Sequence, residues 1–130
     1  MRAIIVATVL FIACLSPMVS AQEGHPLKGA WVGDWGPSSS DRNPVLIVMD
    51  WEGRITGMIN PGTDNIPIKN GTLNPNGWVL HLEAEGTDRA GKTLNYVIEG
   101  KIENIAMANR SITGTWRHQT ANGDFKITRQ

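Results

Sequence analysis

Tyr96 and His118 are the two side chains whose types and spacing best suit chemistry. A phenol and an imidazole both donate and accept hydrogen bonds, and both carry flat rings. Each closes or interrupts a run in which every second residue is apolar: Leu94-x-Tyr96-x-Ile98, and Ile112-x-Gly114-x-Trp116-x-His118. In an extended strand that spacing puts them on the same face as their apolar neighbours. Trp35, Leu94, Trp116 and Phe125 fall in the same inward set near the same end of their strands. These six residues are the candidate ligand-binding lining: aromatic, mostly apolar, with one phenol and one imidazole to orient a guest. The competing reading is a solid plug, because Trp and Tyr are bulky enough to fill a narrow interior.

The remaining reactive groups form no constellation. His81 and Glu83 are two apart and share the outward face of one strand. They offer two metal ligands without a third, so they read as a solvated pair, and no metal site is assigned. His25 lies before the first strand. Ser38-Ser39-Ser40 followed by Asp41 reads as loop chemistry rather than as a nucleophile. Asp34, Asp50, Glu83 and Glu99 are scattered. There is no Gly-x-Ser-x-Gly, no His-Glu-x-x-His and no phosphate-binding glycine loop. No catalytic residue and no cofactor are therefore assigned, and an enzyme has no positive support.

The elements that must hold the aromatic lining are strands. Period-two alternation runs through the chain, and helical periodicity is nearly absent. Eight strands are predicted: Lys28 to Trp35, Pro44 to Trp51, Arg54 to Asn60, Ile66 to Leu73, Trp78 to Glu85, Thr93 to Ile102, Ser111 to His118, and Asp124 to Arg129. Glu52-Gly53, Asn74 to Gly77 and Asn122-Gly123 supply hairpin chemistry between them. One face of each strand is dry and the other wet, as Leu80, Leu82 and Ala84 against Val79, His81 and Glu83 illustrate. The fold class is all-β. An eight-stranded antiparallel up-and-down barrel satisfies this pattern and removes the edges; a β-sandwich is the alternative. Strand reversal then puts Trp31, Trp51, Trp78 and Arg129 at one rim. The polar connections Gly36 to Asn43, Pro61 to Asn65, Gly86 to Lys92 and Gln119 to Gly123 lie at the other, which reads as the mouth.

Gly29-Ala30-Trp31 opening the first strand and Arg129 ending the last resemble the minimal signature of calycin-type barrels, which include lipocalins, fatty-acid-binding proteins and avidins. The resemblance implies that Trp31 packs at a closed end, crossed by Arg129, and that the interior serves a small ligand. The run Ile112-Thr113-Gly114-Thr115-Trp116 is closest in style to the avidin-like branch. The biotin-binding set of avidins does not map onto this chain, and biotin is not implied.

The ends of the chain bear on where it works. Arg2, the short apolar run Ala3 to Ala13, Pro17 and the small residues of Val19-Ser20-Ala21 follow the order of a secretory signal peptide covering 1–21. The run is too short to span a membrane, which takes about 20 apolar residues. Residues 22–27 read as a loose leader, and 28–130 as a single barrel domain. The expected location is the periplasm or the medium. Phe11-Ile12-Ala13-Cys14 loosely resembles a lipobox and offers a lipid-anchored alternative. Cys14 is the one cysteine, so the mature domain must hold itself by its core rather than by disulfides. With 12 basic and 12 acidic residues and no charge run, nucleic acid is a poor partner. A small hydrophobic or amphipathic ligand is expected; the alternative is a module that binds an envelope protein or inhibits a secreted enzyme.

Overall fold

The computed structural model describes residues 25–62 and 64–130. The signal peptide, its Ala21 cleavage point, Cys14 and residues 22–24 of the leader lie outside that range. Eight strands follow in order: β1 (Gly29–Ser38), β2 (Asp41–Trp51), β3 (Ile55–Ile59), β4 (Ile66–Asn74), β5 (Val79–Thr87), β6 (Thr93–Glu103), β7 (Ser111–Arg117) and β8 (Asn122–Arg129). Each pairs antiparallel with the next, and β8 returns to β1 to close a barrel. The ring is consistent with a calycin-like fold, and the two-sheet alternative falls away.

Alternation explains the core. Val45, Ile47 and Met49 of β2, Leu80, Leu82 and Ala84 of β5, and Ile98 and Ile102 of β6 are buried with Ile112, Trp116, Phe125 and Ile127. Among the described residues no polar or charged side chain is buried. Such an interior is stabilised by apolar burial, and among the described residues no buried side-chain nitrogen or oxygen lacking a hydrogen-bond partner offsets it. The glycines inside strands mark close approaches. A Cβ at Gly100 would meet Ile112 Cγ2 at 2.9 Å and Phe125 Cζ at 3.1 Å, and one on its partner Gly114 would run into the Glu99 carbonyl. Bulky neighbours crossing overhead are one of the three reasons a narrow barrel needs strand glycines.

Most strand boundaries shift by one to three residues, and three of the shifts have a visible local cause. Gly36 to Asn43, read as a loop, is mostly strand: β1 and β2 run on through a bulge to a two-residue turn at Ser39-Ser40. Asn122-Gly123 is paired strand rather than turn; the reversal occurs at 118–121, with the His118 N–H donating to the Ala121 carbonyl at 2.9 Å. Trp78 precedes β5, because its φ of 54° takes it out of extended geometry. In the first two cases pairing between adjacent strands extends into residues whose local chemistry suits a turn; at Trp78 the turn geometry prevails.

The closed end is built by the residues before β1. Leu27 and Trp31 are both 0% exposed. The Trp31 indole Nε1 donates to the Leu27 carbonyl at 2.8 Å, and Arg110 Nη1 donates to the Pro26 carbonyl at 2.7 Å. Arg129 stands opposite Trp31 in the ladder, lies against Gly29, and donates from Nε to the Lys28 carbonyl at 2.8 Å. Desolvation, reinforced by neighbouring Arg129, lowers the Arg110 pKa from its ordinary value. The loose-leader reading is thus corrected at Leu27: an open barrel bottom needs an apolar plug, and the buried indole needs an acceptor. Trp51 belongs to this rim but not to the core. It is 44% exposed and stacks on His25 at 4.3 Å, with the rings within 9° of parallel.

Leu27→Ala removes the plug and is expected to destabilise the fold by about 2–4 kcal/mol in urea denaturation, whereas a loose leader would give no change. His25 generates a pH dependence. Its burial holds the imidazole below the ordinary value, and its Nδ1 accepts the Leu27 N–H at 3.2 Å. The unfolded chain therefore binds the proton more readily. The contribution is intact above the unfolded value of about 6.5 and declines as pH falls below it. The urea midpoint is expected to drop between roughly pH 7.5 and pH 5.5, with His25→Asn flattening that slope.

Candidate functional site

Four of the six predicted lining residues meet at the other rim. Trp35 comes from β1, Tyr96 from β6, Trp116 from β7 and His118 from the turn after β7. Trp35 and Trp116 have ring centroids 5.4 Å apart, and Trp35 and Tyr96 6.0 Å, the latter pair within 22° of parallel. Tyr96 meets the His118 ring edge-on at 5.1 Å. β1 and β6 are not sheet neighbours, so the Trp35–Tyr96 contact reaches across the bore. Phe125 is buried deeper, and Leu94 is half-buried and borders neither of the recesses described below.

Beneath these rings the barrel is full. The space enclosed by Trp35, Val45, Ile47, Ile98, Trp116 and Phe125 is about 10 Å³. That is at the threshold for a single water. The solid-plug reading therefore holds for the bore, and any guest must sit above it.

Two recesses lie above the rings. The narrower, about 180 Å³, is bounded by Trp35, Pro37, Asn43, Tyr96, Trp116 and His118. The wider, about 430 Å³, has Trp35, Tyr96 and Ile66 as its apolar part and Asn43, Asn60, Asp64, Asn65 and Thr87 as its polar part. Trp35, Asn43 and Tyr96 border both. The five polar residues were not predicted. The available signal was the polarity of the mouth-end connections, which local turn chemistry already explained.

Backbone bonds and ion pairs hold the rim in place. The Trp116 indole donates to the Asp124 carbonyl at 3.1 Å. His118 Nδ1 accepts the Thr120 N–H at 3.2 Å, which leaves Nε2 as the ring's free donor. Gln119 accepts the Asn95 N–H at 2.9 Å and donates to the Thr93 carbonyl at 3.1 Å, fastening the start of β6 beside the last turn. Asn60 has a φ of 50° and accepts the Leu46 N–H on Oδ1 at 3.2 Å. Partial burial raises the Tyr96 phenol above its ordinary value, so it is neutral and able to donate at physiological pH. On the outer surface Arg42 pairs with Asp34 at 2.6 Å and with Asp124, tying the β1–β2 hairpin to β8. The hydrogen bonds to Asp34 and Asp124 raise its pKa further. Asn43, next along β2, pairs with Trp35, so this clamp fixes the wall shared by both recesses.

His81 and Glu83 stand outside, away from the mouth. His81 Nε2 is 3.2 Å from Glu83 and its Nδ1 3.7 Å from Glu99, which in turn pairs with Arg117 at 3.3 Å. Hydrogen bonds from His81 and then Asn70 lower the Glu83 pKa. The arrangement is an exposed polar chain ending in the Arg117–Glu99 ion pair, and exposed pairs of that kind contribute little. No family model matches the chain, and no curated protein matches it at a significant level.

Arg42→Ala is expected to speed amide exchange in residues 36–43 without altering exchange in β5 and β6, because only the hairpin loses its tether. Uniform acceleration would show that Arg42 supports the whole barrel instead.

Proposed function

We propose that this protein is an exported calycin-like barrel that binds a small amphipathic molecule at its mouth. One observation carries the reading: Trp35 and Tyr96 meet across the bore and form the apolar floor of a recess whose other walls are amides, a carboxylate and a hydroxyl. A volume of about 430 Å³ falls within the range of ligand pockets, roughly 300–1,000 Å³. Trp31 filling the closed end with Arg129 opposite it supports the calycin reading. The filled bore argues for an amphipathic guest over a purely hydrophobic one, which would leave the polar walls unpaired. The proposal is of binding, not turnover. Export rests on the N-terminal sequence.

Titration with anilinonaphthalene sulfonate, a planar amphipathic probe, tests the site. Binding is expected to change tryptophan emission, and Trp35→Ala is expected to weaken it about tenfold or more, as loss of a stacking surface does. Decanoate, whose chain needs an open bore, is expected to have no effect. A protein that binds no small molecule would lose this reading. The function would then pass to the outward apolar stripe where Val32 faces Leu46 and Val48 faces Met58, as in an interaction module.

A further inference from the structure

We infer that the wider mouth recess takes a neutral saccharide, one sugar ring lying on Trp35 with its hydroxyls reaching Asn43, Asn60 and Asn65. The inference rests on the binding reading above and narrows its ligand class. A sugar ring presents a face of C–H groups and an edge of hydroxyls. Each hydroxyl both donates and accepts, and so does each Asn amide. The recess offers the matching pair of surfaces: an aromatic floor, whose negative face attracts polarised C–H groups, and three amides around it.

The polar walls are ready to bond. Among the described residues, none donates to or accepts from the side chains of Asn43, Asp64, Asn65 or Thr87. Asn60 spends its Oδ1 on the Leu46 N–H and keeps both Nδ2 donors. Asn43 and Asn65 are exposed, so the recess stays hydrated until a ligand replaces that water with bonds of equal kind.

Other ligand classes fit less of this set. A fatty chain requires a bore, and the bore holds only about 10 Å³. A small anion without an aromatic body would face Asp64 with no cation lining the recess and would leave the ring floor unused. An ammonium ion would use Asp64 and a ring face but leave three amides and Thr87 idle. A polyhydroxyl ring uses all of them. The recess is open to solvent, which suits a chain that continues past the bound ring.

The test uses the mature chain with cellotriose, maltotriose and chitotriose, and with anilinonaphthalene sulfonate and choline as comparison probes. Saturation-transfer NMR and tryptophan emission read binding. At least one trisaccharide is expected to bind, with transfer strongest to the C–H face of one ring. The double variant Asn43→Ala/Asn65→Ala is expected to weaken it about tenfold or more, roughly the net loss of one or two hydrogen bonds. The same variant should keep its melting temperature and its near-ultraviolet circular dichroism, since both amides are exposed and the Trp35–Tyr96 floor is left in place. If anilinonaphthalene sulfonate binds in a Trp35-dependent way and no trisaccharide does, the saccharide inference falls and the binding reading stands. Choline binding that depends on Asp64 in Asp64→Asn, without saccharide binding, also overturns it. If no probe changes the tryptophan emission, both fall together.

Discussion

The β1–β8 ladder is the contact on which the rest of the molecule depends. It runs from Trp31 opposite Arg129 to Gly36 opposite Asp124. Without it, eight strands would form an open sheet with two free edges and a dry face the length of the chain. With it, that face becomes an interior, and the two rims acquire fixed composition. The ladder joins the chain's first strand to its last, so it closes the longest loop the fold contains and forms at the highest entropic cost. Both ends of the ladder are reinforced. Arg129 crosses to the Lys28 carbonyl at the bottom, and Arg42 bridges to Asp124 near the top. These are not strong interactions singly, since exposed pairs contribute little. Their value is positional, because they hold the seam at the two places where strand pairing runs out.

The wall of the mouth follows from that seam. Trp35 lies on β1 within the ladder, opposite Phe125, and also pairs with Asn43 of β2. Its ring therefore has little freedom, and it meets Tyr96 only because closure carries β6 to the opposite side of the bore. Gln119 then pins the start of β6 and, through it, Tyr96. The aromatic floor is thus positioned by backbone ladders and short side-chain ties rather than by the rings' mutual attraction, which amounts to about 0.5–1.5 kcal/mol per pair.

Much of this was legible in the sequence, and the remainder was not for identifiable reasons. Leu80-His81-Leu82-Glu83-Ala84 states its inward and outward faces directly, so the strands and the shared interior could be read from period alone. Trp31 and Arg129 could be placed at one rim because strand reversal fixes which end a residue occupies. Leu27 could not be recognised as the plug. It precedes any alternating run, and its burial depends on a barrel bottom that exists only after closure. The Gly36 to Ser38 stretch looked like a loop because Gly and Pro interrupt it, yet the bulge lets pairing continue. The amides of the mouth were hidden differently. Asn43, Asn60 and Asn65 each sit where Asn suits a strand end or a turn, and Asn60 does occupy positive φ. Nothing local says that they converge.

The filled bore ties stability to the location of the site. A chain with one cysteine, in its first residues, has no disulfide to stabilise the barrel. Its stability must come from apolar contact, and an eight-stranded barrel has just enough interior for side chains to fill. Trp31, Trp116, Phe125 and the isoleucines fill it. An internal cavity large enough for a ligand would forfeit those contacts, at a cost that grows by about 24 cal/mol for each Å³ left empty. At that rate an empty volume of about 300 Å³, the smallest usual ligand pocket, would cost on the order of 7 kcal/mol. That is comparable to the whole stability of many small domains. A disulfide-free barrel of this size can keep a ligand site most cheaply outside its core, on the top layer of rings, where the polar ends of the strands already face water.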